Sequence, residues 1–290
     1  MRVFVTGATG WVGSAVVREL LNAGHQVTGL ARSEDKAVTL AASGAQVLRA
    51  TLDDHQALQR AASAAEAVVH TAFNHDFTRF AANAEQDRRA IEALGQALVG
   101  SDRPLVVTSG LARIAPGRAA TEADPPDPTS IRQSEAAARA LAERGVRAVT
   151  VRLAPSVHGL GDQGFIPNLI RLARATGVSA YLGQGLNRWA GVHRLDAARL
   201  YRLVLEQGAP APVYHAVADE AVPFQAIAAL IGRRLGLPVE SRGPEHFGWF
   251  AEFAGADMPA SSARTRAELG WEPTGPDLLH DLDQPGYYAG

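Results

Sequence analysis

A strand-like run, Arg2-Val3-Phe4-Val5-Thr6, leads directly into Gly7-Ala8-Thr9-Gly10-Trp11-Val12-Gly13, and an amphipathic stretch, SAVVRELLNAG, comes at once after it. Glycines in that position permit a tight turn, let backbone amides approach a pyrophosphate and let the helix pack closely, while the helix N-terminus favours negative charge. The arrangement constrains the N-terminal part of the chain to a β-turn-α unit built to hold a dinucleotide. Gly7, Thr9, Gly10, Trp11, Val12 and Gly13 are its expected contacts.

The rest of the N-terminal half repeats the rhythm. Apolar runs (QVTGLAR, AQVLRA, EAVVHTA, PLVVTSG, VRAVTVRLAP) alternate with Ala/Leu/Arg-rich helical segments, including a long one around residues 82–99. Strands separated by helices imply βαβ units, and unbroken apolar strands imply a sheet covered on both faces. The expected fold is α/β, a doubly wound parallel Rossmann sheet with a smaller C-terminal substrate-binding lobe. Gly24, Gly44 and Gly145 stand where helices should stop. Beyond about residue 160 the pattern loosens into helices at FIPNLIRLARATG, DAARLYRLVLEQG and AVPFQAIAALIGRRLG, with a strand at PVYHAV. The predicted division is 1–160 for the nucleotide-binding domain, with 190–220 returning to it, and 161–290 for the small lobe. APGRAATEADPPDPTS is the one clear proline-rich loop.

The formal net charge of −2 over 290 residues, with no long block of one sign, gives no footprint for nucleic acid or an anionic membrane, so a small-molecule partner is expected. There is no cysteine, which excludes disulfides, thiolate catalysis and sulfur-based zinc sites. No HExxH spacing occurs, and no metal site is expected. Without a basic and apolar leader or an 18-residue apolar span, the sequence reads as soluble and cytoplasmic.

The glycine spacing is GxxGxxG, and together with VVHTA (68–72), LVVTSG (105–110), VRLAPSVHG (151–159), GVHRLDAARLY (191–201) and ELGWEPT (268–274) it resembles the extended or atypical short-chain dehydrogenase/reductase superfamily over most of the chain. The resemblance implies a nicotinamide cofactor. Thr71-Ala72-Phe73 should then run past the ribose and pyrophosphate, Pro155-Ser156-Val157 should face the nicotinamide, and Thr108 is a further expected cofactor contact. Leu52 and Asp53 fall near the adenine, although Thr51-Leu52-Asp53 departs from the family's Asp-Leu pair. In many relatives the helices around 82–99 and 131–144 form a dimer interface, so a homodimer is a further implied partner.

The end of the second strand discriminates between cofactors, because an acidic residue there binds the ribose 2′-hydroxyl whereas arginine accommodates a 2′-phosphate. Ala31 occupies the acidic position, followed by Arg32 and Ser33, with Lys36 one turn on. A guanidinium fork, a hydroxyl and an ammonium predict NADP(H).

Family members also use a tyrosine as proton donor and a lysine four residues later that lowers its pKa and holds the ribose. Aligning Ser134 with the serine that precedes that lysine places Ile131 at tyrosine and Glu135 at lysine. Composition agrees independently: Lys36 is the only lysine and the first tyrosine is Tyr181. Glu135 could accept ribose hydroxyl hydrogen bonds but cannot activate a phenol. Ser109 is the candidate for the remaining catalytic position, either near a substrate carbonyl or bonded to backbone. Replacement acids are, in order, His158 in the loop after strand six, His75 in Asn74-His75-Asp76-Phe77, and Tyr181. Asp196 is expected to be a helix N-cap rather than a catalyst.

These residues predict an NADPH-dependent oxidoreductase that reduces a small carbonyl or imine/iminium compound without the usual Tyr/Lys pair. The alternative is a non-catalytic NADP(H)-binding sensor or regulator. Nucleotide-sugar epimerisation or dehydration is disfavoured because it leans on the same missing tyrosine. His246-Phe247-Gly248-Trp249-Phe250 with Phe253 is a candidate substrate wall, equally readable as core or dimer surface.

Overall fold

A computed structural model describes residues 1–289, with Phe77 described by its backbone alone. In chain order the first half runs β1 (Arg2–Thr6), α1 (Trp11–Asn22), β2 (Gln26–Ala31), α2 (Glu34–Ala42), β3 (Gln46–Arg49), α3 (His55–Ala64), β4 (Ala67–His70), α4 (Phe80–Gln96), β5 (Leu105–Gly110), α5 (Ser134–Glu143) and β6 (Ala148–Leu153). Next come β7 (Ser156–His158), α6 (Phe165–Thr176), β8 (Ser179–Tyr181), β9 (Arg188–His193), α7 (Arg194–Glu206), β10 (Val213–Ala216), β11 (Asp219–Pro223), α8 (Phe224–Leu235) and β12 (Val239–Ser241). Short helices α9 (Pro244–Phe247), α10 (Ala251–Gly255), α11 (Ala263–Leu269) and α12 (Leu278–Leu282) complete the chain.

The central sheet has seven strands in the order β10-β6-β5-β4-β1-β2-β3. Its pairs β1–β2, β1–β4, β2–β3 and β4–β5 are parallel. Strand order reverses between β1 and β4, and such a switch point opens a crevice at the carboxyl ends of the strands. The sequence rhythm thus becomes a Rossmann-type α/β fold. β10 carries the PVYHAV segment into the edge of this sheet.

The chain divides into two compact units: Met1–Ser109, Pro126–Arg152 and Ala197–Tyr214 form the first, and Gly110–Pro125, Leu153–Asp196 and His215–Gly290 the second. The division differs from a cut at residue 160. The segments after β5 and β6 already belong to the second unit, and α7 carries the chain back, because strand ends rather than sequence intervals decide where packing changes.

In the first unit, α4 and α5 pack through alanines and branched aliphatics: Ala90, Ile91, Leu94, Ala137, Ala138 and Leu141 lie in one buried cluster with Phe4, Val68, Leu105 and Val107. Gly95 is where the helices meet closely, since a Cβ there would collide with the Leu141 side chain. α5 begins only at Ser134, so residues 130–133 precede it and lie before its first turn.

In the second unit, β11-β9-β7 form one small sheet and β12-β8 another, strands too short to register as periodic patterns. The aromatic stretch near residue 250 is largely core. Phe247 and Phe250 are buried with Trp189, Phe224 and Ile227, whereas Trp249 is 58% exposed. Asp196 is not an N-cap: β9 runs straight into α7 at Arg194, two residues earlier. Its carboxylate instead accepts hydrogen bonds from the Thr274 and Gly275 amides at 3.0 and 2.8 Å, and its carbonyl accepts one from Trp271 Nε1 at 3.0 Å. No helix among the described residues is long and apolar enough to cross a membrane.

Candidate active site

The turn after β1 has the shape its glycines imply. Gly7 has φ +68°, and a Cβ there would stand 2.6 Å from the Ala72 amide nitrogen; one on Gly13 would collide with the Gly7 carbonyl oxygen. Gly10 differs, meeting only the Gly7 oxygen at 3.2 Å and otherwise facing open space. Helix α1 has no side-chain cap and no acidic residue in its first turn, so its leading N–H groups keep their affinity for an anion. The turn, the uncapped helix and the open side of Gly10 fit a dinucleotide pyrophosphate. Thr71 fixes the neighbouring strand end: its Oγ1 donates to the Thr6 carbonyl at 2.8 Å.

At the end of β2, Ala31 is buried while Arg32, Ser33 and Lys36 are exposed. Ser33 does not cap α2. The Arg32 guanidinium has no hydrogen bond or ion pair among the described residues, whereas the nearby Glu34 carboxylate is engaged by Arg49. A cation and a hydroxyl are therefore available where a 2′-substituent would lie. Leu52 is half-buried, and Asp53 accepts from Gln86 Nε2 at 2.7 Å, which occupies one of its oxygens. Pro155 precedes β7, in which Val157 is half-buried and Ser156 is buried with an unpartnered Oγ.

Glu135 does not face a ribose. It is 3% exposed, and its two oxygens accept from Arg152 Nε and Nη2 of β6 at 2.7 and 2.6 Å. The expectation that Glu135 contacts cofactor is corrected: a carboxylate one residue into a helix that packs on the sheet was turned inward and neutralised there.

The residue that occupies the carboxyl end of the sheet instead is Arg132, which sequence reasoning passed over. Its Nε donates to Ser134 Oγ at 2.8 Å, its Nη2 donates to the Thr108 carbonyl at 3.0 Å, and its guanidinium lies over the Phe73 ring at 4.1 Å. Nη1 has no partner among the described residues. Ser134 Oγ donates in turn to Asp87, whose other oxygen meets His70 Nε2 at 2.9 Å; His70 Nδ1 reaches Thr6 Oγ1 at 2.8 Å. Thr108 Oγ1 is 2.7 Å from the Tyr201 hydroxyl, which burial holds well above its ordinary pKa. A buried polar chain therefore runs from the glycine-turn strand to Arg132 and clamps it. The legible signal was an arginine two residues before Ser134 in a chain that uses almost no lysine.

The candidate acids fall differently. Ser109, at the end of β5, is half-buried, and its Oγ makes no hydrogen bond among the described residues, so the backbone-bonded alternative is not what the structure shows. His75 packs edge-on against Phe73 at 5.2 Å; desolvation, reinforced by the positive charge of Arg132, depresses its pKa although the residue is exposed. His158 is not in a loop but in β7, fully buried, with Nδ1 2.8 Å from Asp281 and Nε2 3.7 Å from Asp219. Burial opposes its charge, but bonding to Asp219 and Asp281 outweighs this and raises its pKa. No atom of His158 is open to a substrate, which argues for a structural ion pair. Tyr181 lies half-buried in β8 against the apolar cluster of the second unit.

Residues 3–217 match the NAD dependent epimerase/dehydratase family, and the chain belongs to it, an extended short-chain dehydrogenase/reductase-type enzyme family that uses a nicotinamide cofactor. Over nearly its full length the chain is similar to two yeast proteins. It is 45% identical to an uncharacterized protein of Schizosaccharomyces pombe, covering 99% of this chain and 100% of that one, and 44% identical to an uncharacterized protein of Saccharomyces cerevisiae, covering 97% and 98%. Among solved structures it resembles dTDP-glucose 4,6-dehydratase of Streptomyces venezuelae with NAD bound (TM-score 0.80, 21% identity, 99% and 97% coverage). UDP-glucose 4-epimerase of Thermotoga maritima gives a TM-score of 0.75 at 19% identity, with 99% and 98% coverage. At those identities the likeness is one of fold.

Proposed function

We propose that this chain is an NADPH-dependent reductase of a small organic carbonyl or imine compound. The observation that carries the cofactor choice is the unengaged Arg32 guanidinium beside the non-acidic Ala31, with Ser33 and Lys36 exposed next to it. Such a group forms charge-assisted bonds with a 2′-phosphate and has nothing comparable to bind in NADH.

When bound, the reduced nicotinamide supplies hydride. The protein's share would be orientation: the Gly7–Gly13 turn and α1 would hold the pyrophosphate, and Thr71-Ala72-Phe73 would contact the ribose. Nucleotide-sugar epimerisation or dehydration, the activity named for the structural neighbours, is not favoured, because the chain has no Tyr-xxx-Lys pair to move a proton to and from a sugar hydroxyl.

Fluorescence titration with NADPH and NADH tests the cofactor, and loss of NADPH absorbance with panels of ketones, aldehydes, imines and activated alkenes tests the reaction. NADPH binds more tightly, and Arg32→Ala weakens NADPH by about 10- to 100-fold, the worth of one charge-assisted hydrogen-bonded contact, while leaving NADH unchanged. A preference for NADH contradicts the Arg32 argument. Tight NADPH binding with no turnover on any acceptor shifts the reading to a cofactor-binding regulator.

A further inference from the structure

Arg132 is partly buried, and its bonds go to a hydroxyl and a carbonyl rather than to a carboxylate. Placing a guanidinium out of water is costly unless a carboxylate compensates it, and arginine does not escape by losing its proton. Arg152 is compensated by Glu135 at 2.6 and 2.7 Å. Arg132 has no carboxylate of its own; Asp87 is reached only through the Ser134 hydroxyl. Three neighbours fix its plane: the Thr108 carbonyl, Ser134 Oγ and the Phe73 ring. Its Nη1 edge is left without a partner among the described residues. Desolvation acts on this guanidinium strongly enough to lower its pKa against the pull of Asp87. A charge held rigidly, partly shielded from water and left uncompensated on one edge is the arrangement expected of a binding group.

We infer that Arg132 binds the acceptor oxygen: its Nη1 edge holds the negative charge that develops on a substrate carbonyl, so the substrate class is a carbonyl compound and not a cationic iminium ion. The assignment rests on the reductase reading. The carbonyl carbon gains hydride with its electron pair from the reduced nicotinamide, the C=O π pair moves onto oxygen, and the resulting alkoxide takes a proton from water, leaving hydroxide to the buffer. The carbonyl is reduced and the cofactor oxidised. Arg132 donates hydrogen bonds throughout and never gives up a proton, which is why the absent tyrosine is not required. The same fixed charge repels an iminium acceptor, which arrives already positive. Phe73, its ring centroid 4.1 Å from the guanidinium carbon, keeps it from swinging away.

The test uses the full chain and Arg132→Met and Arg132→Lys variants, with two readouts. The first is binding of benzoate and its uncharged isostere benzamide to the protein saturated with NADP⁺, measured by calorimetry. Benzoate binds and benzamide is at least about tenfold weaker; Arg132→Met abolishes the difference and Arg132→Lys keeps part of it. The second is turnover: Arg132→Met lowers kcat on a carbonyl acceptor by about 10²-fold, the loss typical of one oxyanion donor, with NADPH affinity unchanged. Iminium acceptors are poor for the starting protein and improve in Arg132→Met. Equal binding of benzoate and benzamide overturns the assignment. So does an Arg132→Met protein that loses NADPH affinity while still discriminating benzoate, since the arginine would then serve the cofactor. A starting protein that turns over nothing refutes the reductase reading alone, and the benzoate–benzamide difference still decides whether Arg132 is an anion-binding group.

Discussion

Two arginines within one unit of this protein, one fully buried and one partly buried, are treated in opposite ways. Arg152, fully buried in β6, is closed by a bidentate bond to Glu135. Arg132, at the carboxyl end of the sheet, is held by a carbonyl, a hydroxyl and an aromatic face, and one edge stays open. A closed pair has spent its electrostatics on the fold and has none left for a ligand. An open cation retains its field, and the fold tolerates it only because three neutral partners offset part of the desolvation cost. Helix α5 thus supplies one residue to each arrangement: Glu135 to the closed pair, Ser134 to the clamp.

Breaking the closed pair should have the largest effect. Arg152→Met leaves Glu135 buried and alone, and denaturant unfolding should show a loss of about 3–5 kcal/mol. Arg152→Met combined with Glu135→Leu should recover most of it, because two apolar side chains of similar volume satisfy the same space. Arg132→Met should cost no more than about 1 kcal/mol by the same assay, since it removes a charge and strands no partner carboxylate. Equal losses for the two single variants would erase the distinction between them.

A smaller effect should come from the second unit, where another closed pair titrates. The pKa of His158 is raised, burial being outweighed by Asp219 and Asp281, so its contribution is complete below the ordinary histidine value and is lost as pH rises through the raised one. Asp281 is lowered: burial opposes its charge, but the bonds from His158 and Tyr287 prevail, so its contribution is present above the ordinary carboxylate value and is lost as pH falls through the lowered one. Asp162, pushed up to about 6 by burial, costs stability as pH rises from the ordinary carboxylate value to about 6 and adds no slope above that. The melting temperature should therefore peak in mildly acidic solution and fall toward pH 9, with a shallower fall in His158→Gln. A melting temperature that rises above neutrality would contradict the pairing.

The fold was legible because its signals are local and repeated: glycine at the first turn, apolar strands, helices of ordinary length. The short strands β7, β8, β11 and β12 were not, since three to five residues carry no period. The glycine turn after β1 was readable for a similar reason, Gly7 and Gly13 being dictated by close backbone approach. The catalytic end was not. His158 and Glu135 carry the right atoms, but whether a side chain faces substrate or a buried counter-charge depends on neighbours distant in sequence, Asp281 for one and Arg152 for the other. Arg132 was hidden by the abundance of arginine, which makes any single one look like surface.

In the role proposed for Arg132, a cation that does not titrate takes the place of a phenol that does. The direct measurement is kcat/KM for NADPH-dependent reduction of a carbonyl acceptor between about pH 6 and 9. With Arg132 holding the oxygen and water giving the proton, the profile should be flat across that range within about threefold. A profile that falls tenfold per unit above a definite pKa would show that a titrating side chain delivers the proton, and would contradict the role assigned to Arg132.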